Sequence, residues 1–494
     1  MKKKITSKGL MFGIIFLLIG VNIISSMEII TEKKQIKNDN FSTSLINFSI
    51  KTSGNINQES KLLEYDKSVE KSNDNGKPFE GYTLFSPIRS TRIFLINNKG
   101  KIVHTWEARE LQGMAAYLLE NGNLVHTCSN GNSSDFLGGG HTGYVEIIDW
   151  NGTLIWDFEY SSKYYRLHND IKPLPNGNIL MTTWEIKTKE EIDNAGCNPD
   201  LIEIGGLWTD YIIEVDPTKP DNENIVWKWH VWDHLIQDYD PNKENYGNIK
   251  DHPQLIDVNY RGLKRPYPSL VTDLVHVSSL DYNQEFDQIL INARNYNEIW
   301  IIDHNTTTQE AAGHIGGKYG KGGDILYRWG NPITYNMGSK KDQILFMQHD
   351  ACWVEKGCPG EGHITIFNNG VGRPGFDYST VEEIVLPVDS NGNYYLEPGS
   401  TYGPEKPIWT YKHKLLLLTH APYVSSAQRL PNGNTLICYG WWRGHFIEVT
   451  PEKEVVWRYL NVFPMPIFHL NKVFKVRKYP VDYPGLGNLS KNID

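Results

Sequence analysis

Cysteine is scarce in this chain of 494 residues. The five present, Cys128, Cys197, Cys352, Cys358 and Cys438, form no zinc-like pair of pairs, and an odd number cannot all be bridged within one chain. A disulfide framework is therefore excluded. Cys352 and Cys358 are spaced to close one small loop in an oxidising compartment, whereas Cys438 lies inside an apolar strand pattern and reads as core. Positive charge is also short. A formal charge of −9 argues against a chain that tracks phosphate backbones, since nucleic-acid binders gather a basic face. The lysine–glycine stretch Gly316 to Gly323 lacks the Ser or Thr that a phosphate-cradling loop needs after its lysine, so nucleotide use has no support. Long apolar runs are missing save one. It extends from Leu10 to about Ile24 behind Lys2, Lys3, Lys4 and Lys8, broken by Gly13, Gly20 and Asn22. Residues 1–27 thus read as an export signal or a short membrane anchor, cleavage and retention both fitting, and the expected location is extracellular or cell-surface.

The rest of the chain is of two kinds. Residues 28–80 are rich in Lys, Asn, Ser, Asp and Glu with little periodicity, which suits a flexible polar linker. Residues 81–494 read as one folded domain, where Trp 15 and Tyr 27 in the whole chain lean toward strands. Self-similarity is plain. Leu174 to Asn178 reads Leu-Pro-Asn-Gly-Asn, Leu430 to Asn434 repeats it, and Leu119 to Asn123 is a near copy. Asn-Gly between apolar runs is a strong hairpin signal, expected here as a turn with both central residues at positive φ. A second repeated element is a strand ending in paired aromatics: Trp156-Asp-Phe158, Trp227-Lys-Trp229, Tyr327-Arg-Trp329, Trp409-Thr-Tyr411 and Trp457-Arg-Tyr459, with Trp106-Glu-Ala108 a degenerate sixth. Between hairpin and aromatic strand lies a third run, such as Val145 to Asp149 or Phe446 to Thr450. Four-stranded units repeated about six times predict an all-β fold, a six-bladed β-propeller of antiparallel blades. Gly81 to Phe85, Arg92 to Asn97 and Lys101 to Trp106 supply three strands of the last blade, and Lys472 to Tyr479 the fourth, so the two ends of the domain close the ring.

Aligned on the hairpin, the residue six positions before it is Gly113, His168, His276, His349 and Val424 in successive blades. That position begins the first strand, which in a propeller lines the axis, so the three histidines are expected to face one another. The same channel end should collect Arg294 from the end of a second strand, Arg373 after Phe367-Asn-Asn-Gly, and His445 from the start of a third strand. Such a pocket disfavours a metal, because two arginines repel a cation, and suits a sulfate or phosphate ester onto which a guanidinium forks.

The stretches Asp273-Leu-Val-His276-Val-Ser-Ser-Leu-Asp-Tyr, Asn297-Glu-Ile-Trp-Ile-Ile-Asp, Gln348-His349-Asp, Phe367-Asn-Asn-Gly with Arg373, and the Leu-Pro-Asn-Gly-Asn hairpins carry a resemblance. From about Gly81 to Leu486 the chain resembles the arylsulfotransferases that use aryl sulfates rather than a nucleotide donor. The resemblance implies a six-bladed propeller and two-step sulfuryl transfer through a sulfated histidine, between an aryl sulfate and a phenol, with no cofactor. It implies His445 in Gly440-Trp-Trp-Arg-Gly-His445 as nucleophile, with His276, His349 and Arg373 as helpers. His168, Arg294 and Asn369 are expected around the substrate, and Tyr423 and Trp441 fit either an aryl-binding wall or simple packing. Ser278 departs from the family's usual Asn in that segment. Two other functions fit a propeller: a non-catalytic surface module that binds a partner or glycan, and a quinone-dependent dehydrogenase suggested by the recurrent tryptophans.

Overall fold

The structure is a computed structural model that describes residues 29–33, 46–50, 76–129, 136, 138–262, 272–414, 420–441, 444–463 and 471–489. Two units divide the chain, Met1–Tyr65 and Asp66–Asp494. In the first, strands Ile29–Lys33 and Ile46–Ile50 pair antiparallel, within the segment read as linker. The apolar stretch Leu10 to Ile24 lies outside the described residues, among which no helix is long and apolar enough to cross a membrane.

The second unit is a six-bladed β-propeller. The first blade comprises Leu111–Leu118, Leu124–Ser129, Tyr144–Ile148 and Leu154–Glu159. The second comprises Tyr165–Pro173, Ile179–Lys187, Leu207–Val215 and Ile225–His230. Val277–Asn283, Gln288–Ala293, Glu298–Asp303 and Tyr327–Trp329 make the third, and His349–Trp353, Ile364–Asn368, Thr380–Ile384 and Trp409–Tyr411 the fourth. The fifth is Ser426–Arg429, Thr435–Tyr439, His445–Val449 and Val455–Leu460. In the sixth, Val473–Pro480 is the first strand and pairs with Gly81–Pro87, followed by Arg92–Asn97 and Ile102–Glu107. Each first strand touches the first strands of both neighbouring blades, and the sixth returns to the first. The ring closes as the repeats predict.

The hairpins differ in detail from the expected turn. Gly177 and Gly433 adopt φ of 91° and 87°, but the asparagines before them keep negative φ. Gly177 N–H bonds to Leu174 O at 3.0 Å, so the loop is a type I turn capped by a left-handed glycine. Proline after Leu174 favours this form because its φ suits the first central position. The second asparagine of each repeat reaches outward: Asn178 Nδ2 donates to Glu214 Oε1 (2.6 Å) and Asn434 Nδ2 to Glu448 Oε1 (2.7 Å). Those glutamates then accept from the next blade, Glu214 from His304 Nε2 (3.0 Å) and Glu448 from Lys478 Nζ (2.8 Å). Apolar packing follows the same seams. Six clusters of buried side chains each draw most of their members from two adjacent blades, with Trp106, Trp229, Trp300 and Trp457 nearly or wholly buried in them.

All five cysteines are free, and Cys438 is core as expected. Cys352 and Cys358 do not join. Cys352 Sγ lies 3.2 Å from Ala427 O and Cys358 Sγ 3.9 Å from Arg429 O, each turned to the neighbouring blade instead of to the other.

Candidate active site

The first strands do not begin as regular β structure. In the first four blades and the sixth, their pairing with the second strand slips near the start. Asn169, His276 and Asp350 take left-handed φ of 50°, 55° and 46° there, as does Val424 at 52°. Such bulges and backbone settings are costly for non-glycine residues and re-aim side chains.

His276 is held from the second blade. After that blade's last strand the chain returns along its third strand, with Thr272–Asp273 paired parallel to Leu207 and Trp208. Asp210 then accepts the backbone N–H of His276 and of Val277, each at 2.9 Å, and lies 2.7 Å from His168 Nε2. His276 Nδ1 donates to Asp273 Oδ2 at 2.7 Å, which leaves Nε2 as a lone pair, 3.4 Å from the amide nitrogen of Asn169. The His168 and His276 rings are 5.8 Å apart, and His168 stacks on Trp184 at 4.0 Å.

His349 is oriented by Asn369. The Asn369 amide nitrogen donates to Ala421 O (2.6 Å) and Val424 O (3.0 Å), so its oxygen faces His349 Nδ1 (2.7 Å) as an acceptor. His349 Nε2 therefore carries a lone pair and accepts from Val424 N–H at 3.3 Å. Burial holds both imidazoles neutral. It lowers His349 well below the ordinary histidine range, with Arg294 and then His276 adding to the shift. It also lowers His276 against the pull of Asp273, again with Arg294 contributing. Arg294 is the guanidinium whose field reaches both rings. It lies 5.4 Å over Tyr423, which packs 4.8 Å from Trp441.

The structure thus gathers His168, His276, His349, Arg294, Asn369 and Tyr423, with Trp441 behind. Arg373 and His445 have further neighbours of their own. Arg373 donates to Thr380 Oγ1 (2.7 Å), lies 3.7 Å from Glu382 and stacks over Tyr378, so its charge is answered within the fourth blade. His445 opens a third strand, opposite Tyr439 and Leu460. Its surroundings are Tyr439, His413 and Arg458. Burial, then His413 and Arg458, lower it to about 4.

Four contributors escape a reading of the sequence. Asp273 sits three residues before His276 with no repeat counterpart, and Asp210 lies in an ordinary strand. His141 bridges to His168 and is lowered to about 4 by burial, then by Arg166, His168 and His276. His420, four residues before Val424, contacts the Asn369 backbone. Only the acidic residue preceding His276 within a turn's reach offered a sequence signal.

Solved structures match the chain only at low similarity. A protein of unknown function from Bacteroides caccae is 11% identical, with 81% of this chain and 98% of that chain covered and a TM-score of 0.43. A putative 6-phosphogluconolactonase from Bacteroides fragilis is 10% identical, with 83% and 100% covered and a TM-score of 0.37. Hydrazine synthase of Kuenenia stuttgartiensis is 15% identical, with 62% and 68% covered and a TM-score of 0.35. No curated protein matches the chain. The assignment rests on the family model for Arylsulfotransferase (ASST), which matches residues 88–456. That match spans most of the propeller and every residue of the histidine site, and the chain belongs to the arylsulfotransferase (ASST) family.

Proposed function

We propose that this protein moves a sulfuryl group from an aryl sulfate to a phenolic acceptor through a sulfated His276. Family membership supports a sulfotransferase, and one observation carries the finer reading. His276 Nδ1–H is committed to Asp273 at 2.7 Å while Nε2 remains a lone pair. In the first half-reaction, that lone pair forms the N–S bond, the S–O bond to the aryl group breaks, and the electron pair leaves on the phenolate. Positive charge then appears on the imidazole, where the Asp273 carboxylate opposes it. Arg294 suits the sulfuryl oxygens and the departing phenolate. In the second half, the acceptor's phenolic oxygen bonds sulfur and the N–S pair returns to Nε2, while His349 Nε2 exchanges its hydrogen bond from Val424 N–H for the phenolic proton and passes that proton on to the departed phenolate or water. The two halves balance without a cofactor.

This reading moves the nucleophile from His445 to His276 and the anion-binding guanidinium from Arg373 to Arg294. Its support is that His276, His349 and Arg294 act on one another electrostatically, whereas His445 has other neighbours. We also propose that the enzyme works outside the cytoplasm, on the character of residues 1–27 alone.

The test is incubation of the purified chain with 4-nitrophenyl sulfate and a phenol. Nitrophenol release should depend on the acceptor. Peptide mass spectrometry after a quench should find one sulfated imidazole at His276, absent from His276→Ala and retained in His445→Ala. A label on His445 would return the nucleophile there, and no transfer at any pH would sink the activity.

A further inference from the structure

The glycine-rich loop after the third blade's third strand ends beside a second cluster of metal-competent side chains. His234 follows the last strand of the second blade, and His314 and Asp324 flank the loop. The His234 ring is wholly buried and stacks 5.5 Å from Trp229 at an interplanar angle of 10°. Its Nε2 lies 2.8 Å from Ala311 O, so that nitrogen carries the N–H. Its Nδ1 faces Asp324 Oδ1, 2.9 Å away. The same carboxylate oxygen lies 2.7 Å from His314 Nδ1. One carboxylate oxygen thus faces two imidazole nitrogens, an arrangement that a proton or a metal ion can bridge.

A ring N–H donated to a backbone carbonyl is one way proteins orient a metal-bound imidazole, leaving the other nitrogen for the ion. The surroundings are built for this arrangement. A Cβ at Gly323 would meet Ala311 O at 2.0 Å and His234 Nε2 at 2.7 Å, so only glycine passes there. Gly323 O in turn accepts the Trp229 indole N–H at 2.7 Å, fixing the stacked ring.

We propose that His234 Nδ1, His314 Nδ1 and Asp324 Oδ1 bind one divalent transition cation, best suited to Zn²⁺. The three atoms all lie within 4.8 Å of one another. Two imidazoles and a carboxylate form a common zinc donor set, and ligand distances of about 2.0–2.2 Å require only a modest opening of the present contacts. His314, whose side chain is 58% exposed, can swing to provide it and leaves the remaining coordination position to water. The bound ion would tie the glycine-rich loop to the seam between the second and third blades. This site is separate from the histidines of the proposed reaction, so its test does not depend on that chemistry.

The experiment uses the purified full chain, stripped with a chelator and dialysed, then titrated with Zn²⁺ by calorimetry and with Co²⁺ by visible absorption. One ion per chain should bind, and Zn²⁺ should raise Tm. His314→Ala and Asp324→Asn should each weaken binding at least about tenfold, because loss of even an outer-shell partner costs 10–100-fold. His314→Ala alters an exposed side chain, so it should keep the unliganded protein's Tm while losing the Zn²⁺-induced rise. A third variant, Cys128→Ser, addresses the buried His126, Cys128 and Glu146 cluster and should leave binding unchanged. Absence of stoichiometric Zn²⁺ or Co²⁺ binding, or binding lost in Cys128→Ser and kept in His314→Ala, would overturn the proposal. In the former case, a proton held between His234 and Asp324 would account for the geometry.

Discussion

An imidazole whose only N–H is engaged keeps one lone pair for chemistry. His276 and His349 share the engaged N–H through different acceptors, and at His349 the second nitrogen also receives the Val424 N–H at 3.3 Å. The carboxylate at His276 favours positive charge on its ring, while the neutral amide at His349 does so less. In the proposed reaction that difference favours attack by the first and proton transfer by the second. Burial lowers both from the ordinary value of 6.5, so the reactive neutral forms persist to lower pH than for an exposed histidine. kcat/KM should therefore be flat from pH 8 to about 6 and fall only below that, and an acid limb centred above 7 would contradict the assignment. Stability follows the same sign. The unfolded rings take up protons first, so the contribution of the buried neutral rings is complete above 6.5 and declines as pH falls. Arg294→Ala should lower kcat/KM by about 10²–10³-fold, the loss typical of one transition-state charge stabiliser. Arg373→Ala should change it far less, as steady-state kinetics on the two variants would reveal.

At the scale of the strand, the site depends on small departures from regular β structure. The left-handed settings of Asn169, His276 and Asp350 turn the starts of three first strands so that side chains of consecutive blades converge. Where the fifth blade meets the closing strand, Gly440 has no room for a side chain. A Cβ there would lie 1.8 Å from Val473 O, and Gly440 O accepts the Val473 N–H at 3.0 Å. Gly440→Ala should push the closing strand away and destabilise the fold by about 1–3 kcal/mol, the usual range for overpacking. Urea unfolding would measure it, and an unchanged midpoint would mean the seam yields without strain. The seams also carry charge: Asp287 and Glu214 hold the His304 ring protonated, raising it to about 9 despite burial.

For the whole molecule, the closing strand supplies more than the last hydrogen-bond ladder. Lys475 Nζ lies 2.6 Å from Asp170 in the second blade, 2.9 Å from Asp350 in the fourth and 3.0 Å from Tyr117 in the first. Arg477 adds a second cation to Asp350 at 2.9 Å. These charges are almost fully buried, so removing one partner leaves the other without compensation. Lys475→Met should cost about 3–5 kcal/mol in denaturant unfolding at pH 7. Burial raises the Asp170 carboxyl. Without its lysine the group should protonate more readily in the fold than in the unfolded chain, so the loss should shrink toward pH 5. An equal loss at both values would assign the damage to packing.

The sequence by itself determined the ring. Hairpin chemistry at Leu174 to Asn178 and Leu430 to Asn434, alternating strand patterns and paired aromatics are local properties, and six repeats of them leave little other topology. It also marked His168, His276 and His349, since equal repeat positions become neighbours around an axis. Tertiary structure decided their surroundings. Asp210 reaches His276 from another blade, and Asp273 is aligned by a parallel bridge that no repeat announces. Arg294 acts on both imidazoles through its charge, whereas Arg373 bonds Thr380 and lies near Glu382. His445 matched the expected channel end, but a third strand stands two spacings, about 10 Å, from the first. Position along a strand is local and readable, while distance from the axis and the aim of a side chain depend on bulges and partners brought in from elsewhere in the chain.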